Sequence, residues 1–164
     1  MHSSLLDEAQ RLISGLRAAS HMLATAESCT GGLVAGLLTE IPGASDVLER
    51  GFVTYSNAAK IGMLDVDFEL IHRYGAVSAE VARAMADGAL RNSAATVAVS
   101  ITGIAGPGGG SAEKPVGLVH FGFSAKDGTR LHSECRFGDI GRAEVRLASV
   151  REAFRLIAEG ARLG

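Results

Sequence analysis

The chain has 164 residues, 47% apolar and 21% charged, which is globular rather than disordered composition and enough length to bury a core without disulfides. A formal net charge of −2 lacks the basic surplus of a nucleic-acid binder, so no nucleic-acid partner is expected. No apolar run reaches the roughly 18–20 residues that cross a bilayer, and Asp7 and Glu8 stand where a signal peptide would be apolar, so the expectation is a cytoplasmic protein with no membrane partner.

In chain order, Leu5, Leu6, Ala9, Leu12, Ile13 and Leu16 recur at helical spacing and predict a first helix ending near Gly15 to Ser20. Its wide apolar stripe points to a second copy of the chain as partner, a homodimer. A short strand is predicted over Met22 to Ala26. The helix that follows is expected to begin around Cys29 to Gly31 and to stop before Pro42 and Gly43. "RGFVTYS" is rich in strand formers and ends on Tyr55, and Asn57 reads as the N-cap of a short helix through Lys60 to Leu64.

"DFELIHRYG" predicts another short helix closed by Gly75, and Ser78 the N-cap of a helix carrying Val81, Ala84, Met85 and Ala89. "ATVAVSIT", residues 95–102, reads as a buried strand. "VGLVHFGFSA" and "RLHSECRF" are strands joined at "KDG", a hairpin signal. Arg142 to Leu163 predicts a long closing helix. Helices alternating with strands early, and a hairpin late, imply a three-layer α/β/α sandwich around a mixed, partly parallel sheet, with one domain over residues 1–164.

Three polar loops follow predicted strands: "ESCTGG", "SNAAK" and "GIAGPGGG". In an open α/β sheet, ligands sit outside the carboxyl ends of the strands, so the coincidence of these loops carries more weight than any one of them. Ser28 at a helix start is either a nucleophile, with the amides of Thr30 and Gly31 as oxyanion donors, or a simple cap. Cys29 is the rival nucleophile, since a helix N-terminus lowers a thiol pKa.

A serine nucleophile needs a base, and no histidine occupies a usable local motif. Lys60, in an otherwise uncharged stretch, fills that role if burial depresses its pKa, with Tyr55 relaying the proton. The alternative makes Lys60 a solvated helix residue and Tyr55 a core aromatic. The run from Gly103 to Gly110 offers successive backbone N–H groups suited to an anion, or is merely a loop. Arg142 and Arg146, one helical turn apart, are either a phosphate clamp or a solvated face. Cys29 and Cys135 lie far apart, and His2, His21, His72, His120 and His132 pair at no zinc-like interval, so neither a metal nor another cofactor is expected.

Taken together and in order, "TAESCTGG", "PGAS", "VTYSNAAK", "GAVS", "SITGIAGPGGG", "KPVG" and "FGDIGRAEVR" resemble the CinA C-terminal domain family, the nicotinamide-nucleotide amidases. The resemblance implies an α/β/α domain that hydrolyses the carboxamide of nicotinamide mononucleotide, a small-molecule nucleotide, to nicotinic acid mononucleotide and ammonia without a metal. By the same resemblance the nucleophilic serine falls on Ser28, the lysine on Lys60, the tyrosine on Tyr55 and a second site serine on Ser45. The substrate loop falls on Thr102 and on Gly103, Gly106, Gly108 and Gly109, and backbone groups near Cys29, Thr30 and Gly31 face the reacting carbonyl. The family's helix arginine falls on Arg142. "GDIGR" departs from the commoner "GDR" spacing, which leaves Arg146 as an alternative. The family often carries a further N-terminal domain, and this chain resembles the stand-alone form. The competing functional readings are a catalytically silent nucleotide-binding or regulatory module, and an amidase for another carboxamide. Glu27 receives no role from either the residues or the resemblance.

Overall fold

The computed structural model describes residues 2–164, with side chains from Ser4 onward. Strand β1 (Leu23–Glu27) is buried along its whole length and has parallel neighbours on both sides, β2 (Leu48–Val53) and β3 (Val97–Gly103). β4 (Leu118–Ala125) lies antiparallel beside β3, and β5 (Arg130–Arg136) antiparallel beside β4, in the order β2-β1-β3-β4-β5. The sheet is therefore mixed and partly parallel, and the last two strands form the hairpin expected at "KDG".

Strand alternation sorts the apolar side chains into two cores. Leu23 of β1, Val97, Val99 and Ile101 of β3, and Phe121 and Phe123 of β4 pack with α1 (His2–Ala18), α2 (Leu33–Leu38) and α6 (Arg142–Gly160). Ala24, Ala26 and Ala98 point the other way, into a second core closed by α3 (Asn57–Leu64), α4 (Phe68–Tyr74) and α5 (Ala79–Arg91). Small residues on that face let the helices approach closely, while Phe121 and Phe123 fill the opposite one. Burial of each such large side chain stabilises the fold by roughly 1.5–3 kcal/mol. Helices thus cover both faces, giving the three-layer α/β/α arrangement.

The connections after β1 and β2 diverge. The chain leaving β1 forms α2 on one face, and the chain leaving β2 forms α3 to α5 on the other. Both connections therefore begin at the carboxyl end of the sheet, the end at which ligands sit in open α/β folds.

Two local expectations shift. Ser56, not Asn57, caps α3, its hydroxyl accepting the Ala59 amide at 3.0 Å. α2 begins at Leu33 rather than at Cys29 to Gly31, because Gly31 and Gly32 take φ values of +58° and +101°, which no helix tolerates. Residues 28–32 therefore form a free-standing turn. Gly75 closes α4 and Ser78 caps α5 as expected. Among the described residues no helix is long and apolar enough to cross a membrane.

Candidate active site

The alternation of β1 decides where its last residues point. Ala24 and Ala26 face α3 to α5, and Ser28, next in phase, faces the same way. Its amide donates to Ile101 O at 2.9 Å, extending the pairing with β3 by one residue, so the backbone beneath the hydroxyl is fixed by the sheet. From the other side comes Lys60, on the second turn of α3 and four residues before the buried Leu64, so the two share the inward face of that helix. Lys60 is only 2% exposed, a core position filled by an amine.

The amine lies 2.9 Å from Ser28 Oγ and donates a second bond to Thr54 O at 3.1 Å. Burial holds its pKa below the usual lysine value, because the charged form loses its water. Thr54 is itself buried and tied to β1 by its amide, which donates to Glu27 O at 2.9 Å. A buried hydroxyl and a buried amine are thus brought together beyond the carboxyl ends of two adjacent parallel strands. Ser28 does not cap α2.

Cys29 follows a different course. It lies within the core of α1, α2 and α6, and burial is the main reason its thiol is pushed up to about 11. A thiol held neutral in an apolar setting is a poor nucleophile. Its place at a helix start does not compensate, since α2 begins four residues later.

Glu27 faces the opposite side of the sheet from Ser28. Its carboxylate accepts the Thr30 hydroxyl at 2.7 Å and the Val34 and Ala35 amides at 2.8 and 3.1 Å, capping α2 from seven and eight residues upstream. Within the turn, the Gly31 amide donates to Ser28 O at 3.0 Å and is therefore engaged, contrary to its expected availability. The Thr30 and Gly32 amides have no acceptor among the described residues.

The arginine alternatives separate cleanly. Arg146 donates to Cys29 O at 3.3 Å and to Thr30 O at 3.1 Å, gripping the turn from α6. Arg142, at the start of α6, donates to Gly106 O at 2.7 Å and to the Tyr55 hydroxyl at 2.7 Å. Tyr55 lies beyond the end of β2, is 58% exposed, and pairs with Arg142 rather than with Lys60 or Ser28. The relay expected from tyrosine to lysine is not formed. Neither guanidinium is paired with a carboxylate among the described residues, so both remain available to an anion.

Thr102, near the end of β3, is buried and donates to Ala76 O at 2.9 Å. Gly103 follows at a place where a Cβ would come within 2.7 Å of Val119, so only glycine fits. Gly106, Gly108 and Gly109 belong to the loop beyond, which Arg142 reaches through the Gly106 carbonyl. Ser45 is not part of this gathering. It sits in a single 3-10 turn, Ala44–Asp46, just before β2. Leu48 pairs with Leu23, so that turn lies at the amino end of β1, a strand length of about 15 Å from Ser28. Among the described residues no group of three or more His, Cys, Asp or Glu side chains is arranged to hold a metal, and the His2 side chain lies outside them.

A nicotinamide-nucleotide amidohydrolase, PncC, of Enterobacter agglomerans is 53% identical over 135 residues, 82% of this chain and 81% of that protein. A CinA-like protein of Anaeromyxobacter sp. (strain K) is 49% identical over 89% of this chain but only 35% of its own length. For most of these curated relatives the chain spans about a quarter to a third of their length. The crystal structure of competence/damage inducible protein CihA from Agrobacterium tumefaciens superposes with a TM-score of 0.93 at 55% identity, covering 94% of each chain. The family profile described as the CinA C-terminal domain matches residues 6–160, and the chain belongs to that family.

Proposed function

We propose that this chain is an amidohydrolase that converts nicotinamide mononucleotide to nicotinic acid mononucleotide and ammonia, with Ser28 as nucleophile and Lys60 as base. The observation that carries the reading is the 2.9 Å contact between a buried serine hydroxyl and a buried amine of lowered pKa. The similarity to a protein named nicotinamide-nucleotide amidohydrolase over most of both chains supports the substrate.

In the proposed reaction neutral Lys60 takes the Ser28 proton as Oγ bonds to the carboxamide carbon. Negative charge on the carbonyl oxygen is met by the unengaged Thr30 and Gly32 amides. The C–N bond then breaks, Lys60 returns its proton to the departing nitrogen, and ammonia leaves. Water deprotonated by Lys60 attacks the acyl-serine, the C–Oγ bond breaks, and Ser28 regains its proton. Arg142, paired with no carboxylate among the described residues and bridging Tyr55 to the glycine loop, holds the phosphate and so fixes the carboxamide near Ser28.

The deciding assay is ammonia release from nicotinamide mononucleotide against release from nicotinamide. Activity on the nucleotide alone, lost in Ser28→Ala, is the expected result. Equal rates on both would point to a general amidase. No release from either, by a folded protein, would leave a binding module.

A further inference from the structure

Glu27 is nearly fully buried yet takes no part in the proposed bond-making. Its three hydrogen bonds do more than close a helix. One reaches the Thr30 hydroxyl inside the turn that follows Ser28, and two fix the first turn of α2. Arg146 grips the same turn at the carbonyls of Cys29 and Thr30. In a trans peptide the N–H points opposite to the C=O. With Cys29 O turned towards Arg146, the Thr30 amide is therefore turned away from it. The Gly31 amide, opposed in the same manner to Thr30 O, reaches Ser28 O, so that side of the turn faces the serine. By occupying the Val34 and Ala35 amides, Glu27 also removes the helix's own N-terminal donors from the site.

We propose that Glu27 is the positioning residue of the Ser28 turn. Clamped between Glu27 and Arg146, the turn keeps the Thr30 amide aimed at the developing oxyanion while Glu27 itself never touches substrate. This inference rests on Ser28 being the nucleophile. It adds a requirement which that assignment does not make: a carboxylate with two acceptor oxygens on the far face of β1. Glu27→Gln keeps the shape but turns an NH₂ towards amide and hydroxyl donors, so the turn loses its register. Thr30→Val keeps the carboxylate and removes one of its three donors.

The test uses the full chain and a fluorophosphonate, which phosphonylates activated serines, Oγ bonding to phosphorus as fluoride leaves, without needing the nucleotide pocket. Labelling at Ser28 is followed by intact mass, beside kcat and KM for nicotinamide mononucleotide and thermal unfolding. Wild type labels at Ser28. In Glu27→Gln the labelling rate and kcat fall together by about tenfold or more, while KM stays within about twofold, since the phosphate contacts are untouched. Thr30→Val shows a smaller fall of the same kind, and the double variant is no worse than Glu27→Gln because the two act on one contact. A folded Glu27→Gln with wild-type labelling and kcat but lowered unfolding temperature would make Glu27 a helix cap only. If Glu27→Gln does not fold, Thr30→Val decides, and unchanged labelling and kcat in it refute the proposal. Failure of wild type to label at Ser28 would instead remove the nucleophile assignment and this inference with it.

Discussion

Lys60 Nζ and Ser28 Oγ lie 2.9 Å apart beyond the carboxyl ends of β1 and β2, although 32 residues separate them in the chain. Lys60→Met removes the base but keeps the apolar stem. Loss of a general base lowers the rate by about 10²–10⁴-fold, so ammonia release is expected to fall by that much.

The same substitution has an opposite effect on stability. Burial depresses the Lys60 pKa in the folded chain, so between that value and 10.5 the unfolded chain binds more protons. Stability therefore rises with pH through this window, and the full penalty of the buried amine is present below it. At neutral pH Lys60→Met should unfold at a higher temperature than wild type, by about 2–4 °C for each kcal/mol relieved, with the gap closing as pH approaches 10. A uniform decrease at every pH would mean that the bond to Thr54 O outweighs desolvation. In wild type the same depressed pKa places the alkaline rise of kcat/KM below the ordinary lysine range.

Cys29 lies beside the nucleophile yet is chemically inert, its thiol pushed up to about 11 by burial. Cys29→Ala should keep ammonia release within about threefold and lower stability by about 1 kcal/mol, typical of a small core truncation. Iodoacetamide at pH 8 should leave the native protein active. Inactivation by alkylation at Cys29, with loss of activity in Cys29→Ala, would transfer the chemistry to sulfur.

Much of this site was legible because it follows from local rules. Hydroxyl, acid and glycines after a strand marked the turn, while Lys60 after the next strand read as a base or as a solvated helix residue until the family pattern was set beside it. The role of Glu27 lay hidden in the alternation of "TAES", which sends Ser28 to one face and Glu27 to the other. It emerges only when the position of α2 over that second face is known. The late start of α2 is a positive-φ effect of two consecutive glycines that apolar periodicity does not register. Tyr55 and Arg142 are 87 residues apart, and a contact at that separation has no local signature. Ser45 shows the converse limit: a motif places a residue in the chain, while strand direction decides which end of the sheet it occupies.

Arg142 gives a prediction on substrate binding. Removing one charge-assisted hydrogen bond costs about 1.5–3 kcal/mol, roughly tenfold to hundredfold in affinity. Arg142→Ala should lower kcat/KM for nicotinamide mononucleotide by that factor through KM. Its effect on nicotinamide riboside, which lacks the phosphate, should be small. Arg142→Lys should recover only part of the loss, because one ammonium does not reproduce the guanidinium fork between Gly106 O and Tyr55. Equal losses on both substrates would show that Arg142 acts by holding the glycine loop and not the phosphate.

Two strands over from the Ser28 turn, on β4 opposite Thr102, His120 Nδ1 shares a 2.9 Å hydrogen bond with His132 Nε2 of β5, their rings stacked at 5.2 Å. Such a bond needs one donor and one acceptor, so it does not survive when both rings are protonated. Burial lowers both pKa values; His120 is lowered further by His132 and Lys114, and His132 by Arg83, while Glu134 and Glu80 oppose the shift at both. With folded pKa values below 6.5, the unfolded chain binds more protons just below that pH. The pair's contribution is complete above pH 6.5 and is lost as pH falls through the lowered folded values. Wild type should therefore lose unfolding temperature as the pH falls below 6.5 and through the lowered folded values. His132→Gln, which can still bond to His120 but cannot gain a charge, should flatten that decline. Parallel curves for the two proteins would remove the pair as its source and leave the carboxylates, which titrate at lower pH.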